Sequence, residues 1–287
     1  MKTIIRICII KLLFFVDKVI KFTTKKSVLY FLNSILDKFS YVQENLFEHK
    51  VIFFAPNELV RWRVKTFYTK ETDTLKWIDG FNSSENLIFW DIGANIGLYS
   101  IYNSLKNQNS KTIAFEPSSS NLRILSRNIS INNLQDKIEI FQIPLSNVQN
   151  KFLLMREAQY IEGSGLNTFG ANFNYEGKVI ESNNNYKIFG STINYFLRNN
   201  ILDIPDHIKI DVDGIEHFIL EGANEFLKEK KIKSILIEVN EDFEEQHQSI
   251  IKILSENNFK FSIKKRNVEI DNNMFSNNFN YIFIKNT

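Results

Sequence analysis

The sequence predicts an α/β protein built on a mostly parallel sheet, preceded by a basic helical segment. Three observations point there. From Leu87 onward, short apolar runs alternate with stretches of helical periodicity, the pattern of repeated βαβ units. One run, Phe89-Trp90-Asp91-Ile92-Gly93-Ala94-Asn95-Ile96-Gly97, passes from a strand through a glycine-spaced turn into a helix. The last two apolar runs have no helical stretch between them, so they should pair as an antiparallel hairpin at the sheet edge.

Residues 1–26 hold Lys2, Arg6, Lys11, Lys18, Lys21, Lys25 and Lys26 against one acid, Asp17. They carry +6 of a whole-chain charge of +2, which leaves −4 for the remainder. The run from Ile4 to Val16 is broken by Arg6 and Lys11, whereas a membrane span needs about 20 apolar residues. No small-residue cleavage site follows it, so the segment does not read as a signal peptide. At about 100° per residue, Lys11, Lys18, Lys21 and Lys25 share one face opposite Ile, Leu and Phe, which predicts an amphipathic helix. Such stripes more often pack on their own domain. Peripheral contact with an anionic membrane surface, at the inner face, is the alternative.

A second helix is expected over 27–39, where Val28, Leu32, Ile35, Leu36 and Phe39 keep helical spacing. A short strand follows at 51–54 and a helix at 70–79. Strands are expected at 87–91, 112–116, 138–142, 208–211, 234–239, 259–263 and 281–284. Helices should start near Gly97, Ser119, Ile215 and Phe243. The stretch 146–205 interrupts this rhythm and reads as a long loop over the C-terminal edge of the sheet, a length uncommon without a functional reason. Residues 1–60 are therefore expected to form a helical extension and 61–287 the main domain.

Composition excludes several classes. With 44% hydrophobic and 14% aromatic residues the chain can bury a core, which rules out wholesale disorder. The single cysteine, Cys8, allows neither an internal disulfide nor a paired-cysteine zinc site, and suggests a reducing, cytoplasmic setting. The four histidines show no ligand spacing, and no metal is assigned. A net charge of +2 and the absence of an N-P-P-Y sequence argue against a nucleic-acid partner.

The chemistry concentrates in three places. In the first, Asp91 ends a strand and Gly93 and Gly97 let backbone approach a ligand, with Ala94 and Asn95 in the turn. Nineteen residues after Gly97, Glu116 ends the next strand, followed by Pro117, and an acid there can accept both hydroxyls of a ribose. The turn reads G-x-N-x-G and lacks the third glycine of dinucleotide sites. A ligand with an adenosine and no phosphate needs only the close approach, and S-adenosyl-L-methionine fits. In the second place, Ile208-Lys209-Ile210-Asp211-Val212-Asp213-Gly214-Ile215-Glu216-His217 sets Asp211 and Asp213 on one side of a strand's C-terminal end. The pair could supply a base, or hold a divalent ion as the D-x-D spacing of a glycosyltransferase does. Asp213 and Glu216 could equally serve the start of the helix. The third place is Glu238, which ends the strand Ile235-Leu236-Ile237 at the same edge.

These stretches resemble the FkbM family of S-adenosylmethionine-dependent methyltransferases. The resemblance is carried by WDIGANIGLYS (90–100), AFEPSSSNLRILSRNISIN (114–132), KIDVDGIEHFILEGA (209–223) and LIEVN (236–240), with KETDTLKWID (70–79) as a helix before the core. It implies the class I methyltransferase fold, a Rossmann-like seven-stranded sheet with an antiparallel last strand. It also implies O-methylation of a hydroxyl, typically on a sugar or other small-molecule acceptor. Carried over by position, Asp91, Gly93, Asn95, Gly97 and Glu116 would line the cofactor site, joined by Asn121 and Ser146, while Asp211, Glu216 and Glu238 match polar positions of the acceptor side. Asp211 is the first candidate for the base, followed by Glu238 and His217. Asn147 and Asn194 stand where the family often has Asp. A catalytically silent cofactor-binding module is the non-enzyme alternative.

Overall fold

The computed structural model describes residues 2–82, 86–180, 182–266 and 277–286. Two helices open the chain, α1 (Lys2–Thr24) and α2 (Val28–Leu36), followed by a single 3-10 turn, Asp37–Phe39. A hairpin of β1 (Tyr41–Leu46) and β2 (His49–Phe54) leads into α3 (Glu58–Lys70) and α4 (Thr72–Asp79). The repeating units then follow: β3 (Leu87–Ile92), α5 (Leu98–Lys106), β4 (Ser110–Phe115), α6 (Ser119–Ile131) and β5 (Ile138–Phe141).

The stretch expected as a long loop is not one. It holds β6 (Lys151–Glu157), β7 (Thr168–Phe169) and β8 (Asn184–Gly190), which form a separate three-stranded antiparallel sheet, and then the short helix α7 (Ile193–Arg198). The apolar run 152–155 of β6 is the trace they leave in the sequence; β8 mixes Asn, Tyr and Lys into its strand, and β7 has only two residues. The main sheet resumes with β9 (His207–Ile210), α8 (Glu216–Glu221), β10 (Ser234–Asn240), α9 (Glu244–Glu256), β11 (Phe259–Arg266) and β12 (Asn278–Lys285).

The seven strands lie in the order β11-β12-β10-β9-β3-β4-β5. β10, β9, β3, β4 and β5 are parallel, and β12 runs antiparallel to both of its neighbours. The expected hairpin of β11 and β12 is present, with β12 inserted between β11 and β10 and β11 at the edge. Both faces of the sheet are covered, which is why its strands read as continuous apolar runs. Period-two alternation sends Leu87, Phe89 and Ala114 into one core layer. Trp90, Ile92, Ile113 and Phe115 go into the other, with Ile208, Ile210, Ile235 and Ile237.

The β1–β2 hairpin belongs to the first layer, contributing Leu46, Val51, Phe53 and Phe54. Asn128 of α6 and the residue that caps that helix, Asn132, take the place of a third strand beside it. The Phe54 N–H donates to Asn128 Oδ1 (2.7 Å) and the Ile52 N–H to Asn132 Oδ1 (2.9 Å). Asn128 also donates to the Ile96 carbonyl at 2.9 Å, so one buried side chain ties the hairpin to the glycine turn. Residue 60, where the extension was expected to end, falls inside α3.

Candidate active site

Asp91 and Ile92 close β3, and the chain turns at Gly93 with φ 84°. A Cβ there would lie 1.8 Å from the Asp211 carbonyl oxygen beyond the neighbouring strand, so only glycine permits this approach. Gly97 (φ 88°) opens α5, and a Cβ on it would stand 2.6 Å from Leu125 Cδ1 of α6. Between them Asn95 is also left-handed (φ 51°), a conformation asparagine tolerates better than most residues. Its N–H donates to Glu116 Oε2 (2.8 Å) and its Nδ2 to the Ser164 carbonyl (3.0 Å).

Glu116 follows β4 directly, and its other oxygen accepts the Ser118 N–H at 2.9 Å. Burial pushes its pKa up to about 8 despite these bonds. Asn121 on α6 donates to the Ser164 carbonyl (3.0 Å) and accepts the Gly163 N–H (2.8 Å). Together these residues form the wall of an inner pocket of about 70 Å³. Ile92, Phe115, Pro117, Ile143 and Leu145 supply its apolar sides, and Ser164, Gly165, Asn167 and Phe169 roof it. Ser146 lies beyond this pocket: its N–H donates to the Ser191 carbonyl (3.0 Å) and its Oγ to Asn147 Oδ1 (3.3 Å).

An outer pocket of about 350 Å³ shares Gly93, Asn95, Ser164, Gly165, Asp211 and Asp213 with the inner one, making a continuous cleft. Ala94, Arg63, Lys70, Glu71, Tyr99, Lys209 and Glu238 also line it. The cleft runs along the C-terminal ends of the strands, where open α/β sheets bind their ligands.

Its electrostatics centre on Lys209, which is 1% exposed. Its Nζ donates to Asp211 Oδ2 (2.9 Å) and lies 3.8 Å from Asp91 Oδ1. Burial alone would raise Asp211, but Lys209, with Lys70 and Arg63 behind it, holds the carboxyl below the usual range. Asp91 accepts the Ser100 hydroxyl (2.6 Å), and burial outweighs Lys209 to push it up. Burial, then the Asp211 charge, raises Asp213 to about 6 and carries Glu238 well above the carboxylate range. Asp213 Oδ2 accepts the Leu166 N–H at 2.6 Å. The two D-x-D carboxylates are thus engaged with different partners.

Asp211 and Glu238 meet in the cleft, and His217 does not join them. It is buried against Phe173, Phe218 and Phe243, with neither ring nitrogen hydrogen-bonded among the described residues. Burial pushes its pKa down to about 4. Glu216 also stands outside the cleft lining. Its carboxylate accepts the Val212 N–H (3.1 Å), the Gly214 N–H (3.0 Å) and Gln246 Nε2 (2.5 Å), which fixes the turn that carries Asp211 and Asp213.

Sequence reasoning passed over Lys209, Arg63, Lys70 and Tyr99. For Lys209 a signal existed: a lysine between Ile208 and Ile210, in a strand buried on both faces, requires an acidic partner. Arg63 had none, since it sits on a helix of mixed polarity that serves both core and cleft.

The cleft suits S-adenosylmethionine. The apolar sides of the inner pocket match an adenine, and Glu116 stands where a ribose would follow. Asn95 Oδ1 is buried in the lining without a hydrogen-bond partner among the described residues, leaving an acceptor for the ligand. Asp91, expected in the cofactor site, is instead fully buried behind the cleft and lines neither pocket. The sheet with its antiparallel last strand, the glycine turn and the ribose acid define a class I S-adenosylmethionine-dependent methyltransferase domain. Residues 91–261 match the Methyltransferase FkbM domain, and the chain belongs to the FkbM methyltransferase family. Methyltransferase sdnD of Sordaria araneosa is 38% identical over 80 residues, a match that takes in 28% of this chain and 31% of sdnD. Among solved structures, precorrin-6y C5,15-methyltransferase of Geobacter metallireducens GS-15 shares 13% identity at a TM-score of 0.44, covering 76% of this chain and 87% of its own. TrmK of M. capricolum, solved with S-adenosyl-homocysteine, shares 14% identity at a TM-score of 0.43, covering 74% of this chain and 68% of its own.

Proposed function

We propose that this protein transfers a methyl group to a hydroxyl oxygen, and that the acceptor is a sugar of a surface glycan or its precursor, handled on the cytoplasmic side. The observation that carries the reading is Asp211, an ionised carboxylate in the cleft wall, kept ionised by Lys209 and set beside the Gly93 turn. The polar outer pocket, with the half-exposed ring of Trp62 in its lining, supports a sugar ring as the occupant.

S-adenosylmethionine supplies a methyl carbon made electrophilic by the sulfonium charge. Ile92, Phe115, Ile143 and Leu145 would bind its adenine and Glu116 would accept its ribose hydroxyls. The acceptor hydroxyl would become strongly acidic as its oxygen bonds the methyl carbon and the carbon–sulfur bond breaks, leaving S-adenosylhomocysteine, so a weak base in reach suffices to take the proton. Asp211 fills that role. Glu238, which burial and the Asp211 charge push upward, is the carboxyl better suited to hold a proton and donate a hydrogen bond that orients the acceptor. Environments that push two neighbouring carboxyls apart in this way assign them opposite roles.

The test is transfer of radiolabelled methyl into a fractionated extract. Label should enter the glycan or nucleotide-sugar fraction, and Asp211→Asn should lower the rate by about a hundredfold or more while leaving cofactor affinity within a few fold. Label in protein or nucleic acid would overturn the acceptor. An undiminished rate in Asp211→Asn would remove Asp211 from proton transfer.

A further inference from the structure

The helix α1 leaves its apolar residues uncovered. All of its described side chains are exposed except Asp17 and Ile20, which are half-buried, and Phe22 is 80% exposed. Ile5, Ile9, Leu12, Leu13, Val16 and Val19 form one broad arc; Lys11, Lys18 and Lys21 lie opposite among the exposed Ile7, Ile10 and Phe14, and Lys25 follows just past the helix end. The acid of α1 is used internally: Asp17 Oδ1 accepts the Ser27 hydroxyl (2.7 Å) and the Leu29 N–H (3.0 Å), fixing the corner between α1 and α2. The helix thus presents uncompensated positive charge beside bare hydrocarbon. No helix among the described residues is long and apolar enough to cross a membrane.

We propose that α1 lies in the plane of an anionic phospholipid surface, its apolar arc in the acyl boundary and its lysines among the lipid phosphates. Charge complementarity selects this occupant. A second copy seated on the apolar arc would leave the lysine faces of both helices without a counter-charge, and a helix–helix seam needs only a narrow stripe rather than a broad arc. At 1.5 Å per residue α1 is about 35 Å long, ample for a surface-lying anchor.

The anchor is coupled to the cleft. Arg127 of α6 donates to Asp37 (3.1 Å), and Arg61 of α3 donates to the Phe39 carbonyl (3.2 Å), so the 3-10 turn after α2 is held by both helices. Those helices carry Asn121 and Arg63 of the cleft wall. A docked α1 therefore holds the cleft close to the lipid surface, where a lipid-linked acceptor would be found.

The experiment is co-sedimentation of the full chain with vesicles of phosphatidylcholine alone, or of equal parts phosphatidylcholine and phosphatidylglycerol. Partitioning should be at least about tenfold stronger onto the anionic vesicles and fall in 1 M salt, where the screening length is about 3 Å. Replacing Lys11, Lys18, Lys21 and Lys25 together by Glu should abolish that preference, a loss of about a hundredfold. Leu12→Gln with Val16→Gln should weaken binding to both vesicles. Unchanged S-adenosylmethionine affinity in each variant shows that the domain is folded, and vesicle binding is read independently of methyl transfer. Absence of binding, equal binding to both vesicles, or a stable dimer that requires α1 would overturn the proposal.

Discussion

With burial holding Glu116 near pH 8, much of the free protein carries it protonated at neutral pH, although both of its oxygens already accept backbone N–H bonds. Ribose hydroxyls donate best to the ionised form, so affinity for S-adenosylmethionine should rise between about pH 7 and pH 9. Glu116→Gln should weaken binding and flatten that dependence, as titration calorimetry across the range will show. Stability moves the other way. Because the folded pKa lies above the unfolded value of 4.5, the native state binds the proton more tightly. This contribution is complete below about pH 4.5 and is lost as the pH rises through about 8, on the order of 5 kcal/mol in all. Glu116→Gln, which has no proton to exchange, should remove this pH dependence of stability in urea denaturation between about pH 5 and pH 9. Gly93 makes a plainer case. Gly93→Ala drives a Cβ into the Asp211 carbonyl at a positive φ and should destabilise the fold by about 2 kcal/mol or more, measured by the same denaturation. Gly93, Glu116 and Asp211 were legible because glycine spacing and strand-end acids leave a trace in the sequence. The placement of His217 and Ser146 was not, since a residue beside a motif can face either the cleft or the core.

The segment 161–167 behaves as the roof of the inner pocket, and the cleft holds it by side chains from several elements. Asn57 donates to the Glu162 carbonyl (3.0 Å), Arg63 to the Gly163 carbonyl (2.6 Å), and Asn121 makes its two bonds to Gly163 and Ser164. These bonds hold the roof over the Glu116 wall of the inner pocket. Asn121→Ala removes two buried hydrogen bonds and should lower the cost of opening by about 1–3 kcal/mol. Hydrogen exchange at Gly163 and Ser164 should quicken accordingly, while the amides of β3 and β4 keep their protection. This roof was read as an open loop because its order comes from partners distant in sequence, which no local pattern announces. The helices after Gly97, Ser119, Ile215 and Phe243 were the opposite case, each opening directly after a strand-end motif.

At the scale of the molecule, the parallel sheet was legible because strands buried on both faces must be apolar throughout. The first sixty residues were less so. The lysine stripe of α1 indicated a helix, but whether its apolar side met the domain or the solvent depends on contacts made elsewhere, and β1 was masked by polar residues such as Gln43, Glu44 and Asn45. The order of the sheet bears on how the chain is made. β10 lies beside β9 on one edge and waits for β12 on the other, while α9 and β11 come between them in sequence. A nascent chain emerging from the ribosome can assemble the five parallel strands before β12 exists. Until residues 278–285 follow, Ser234–Asn240 presents an open edge of seven mostly apolar residues to any other growing strand. Synthesis thus passes through an interval in which the domain is nearly complete and most prone to aggregate, and β12 ends it by filling the gap from within.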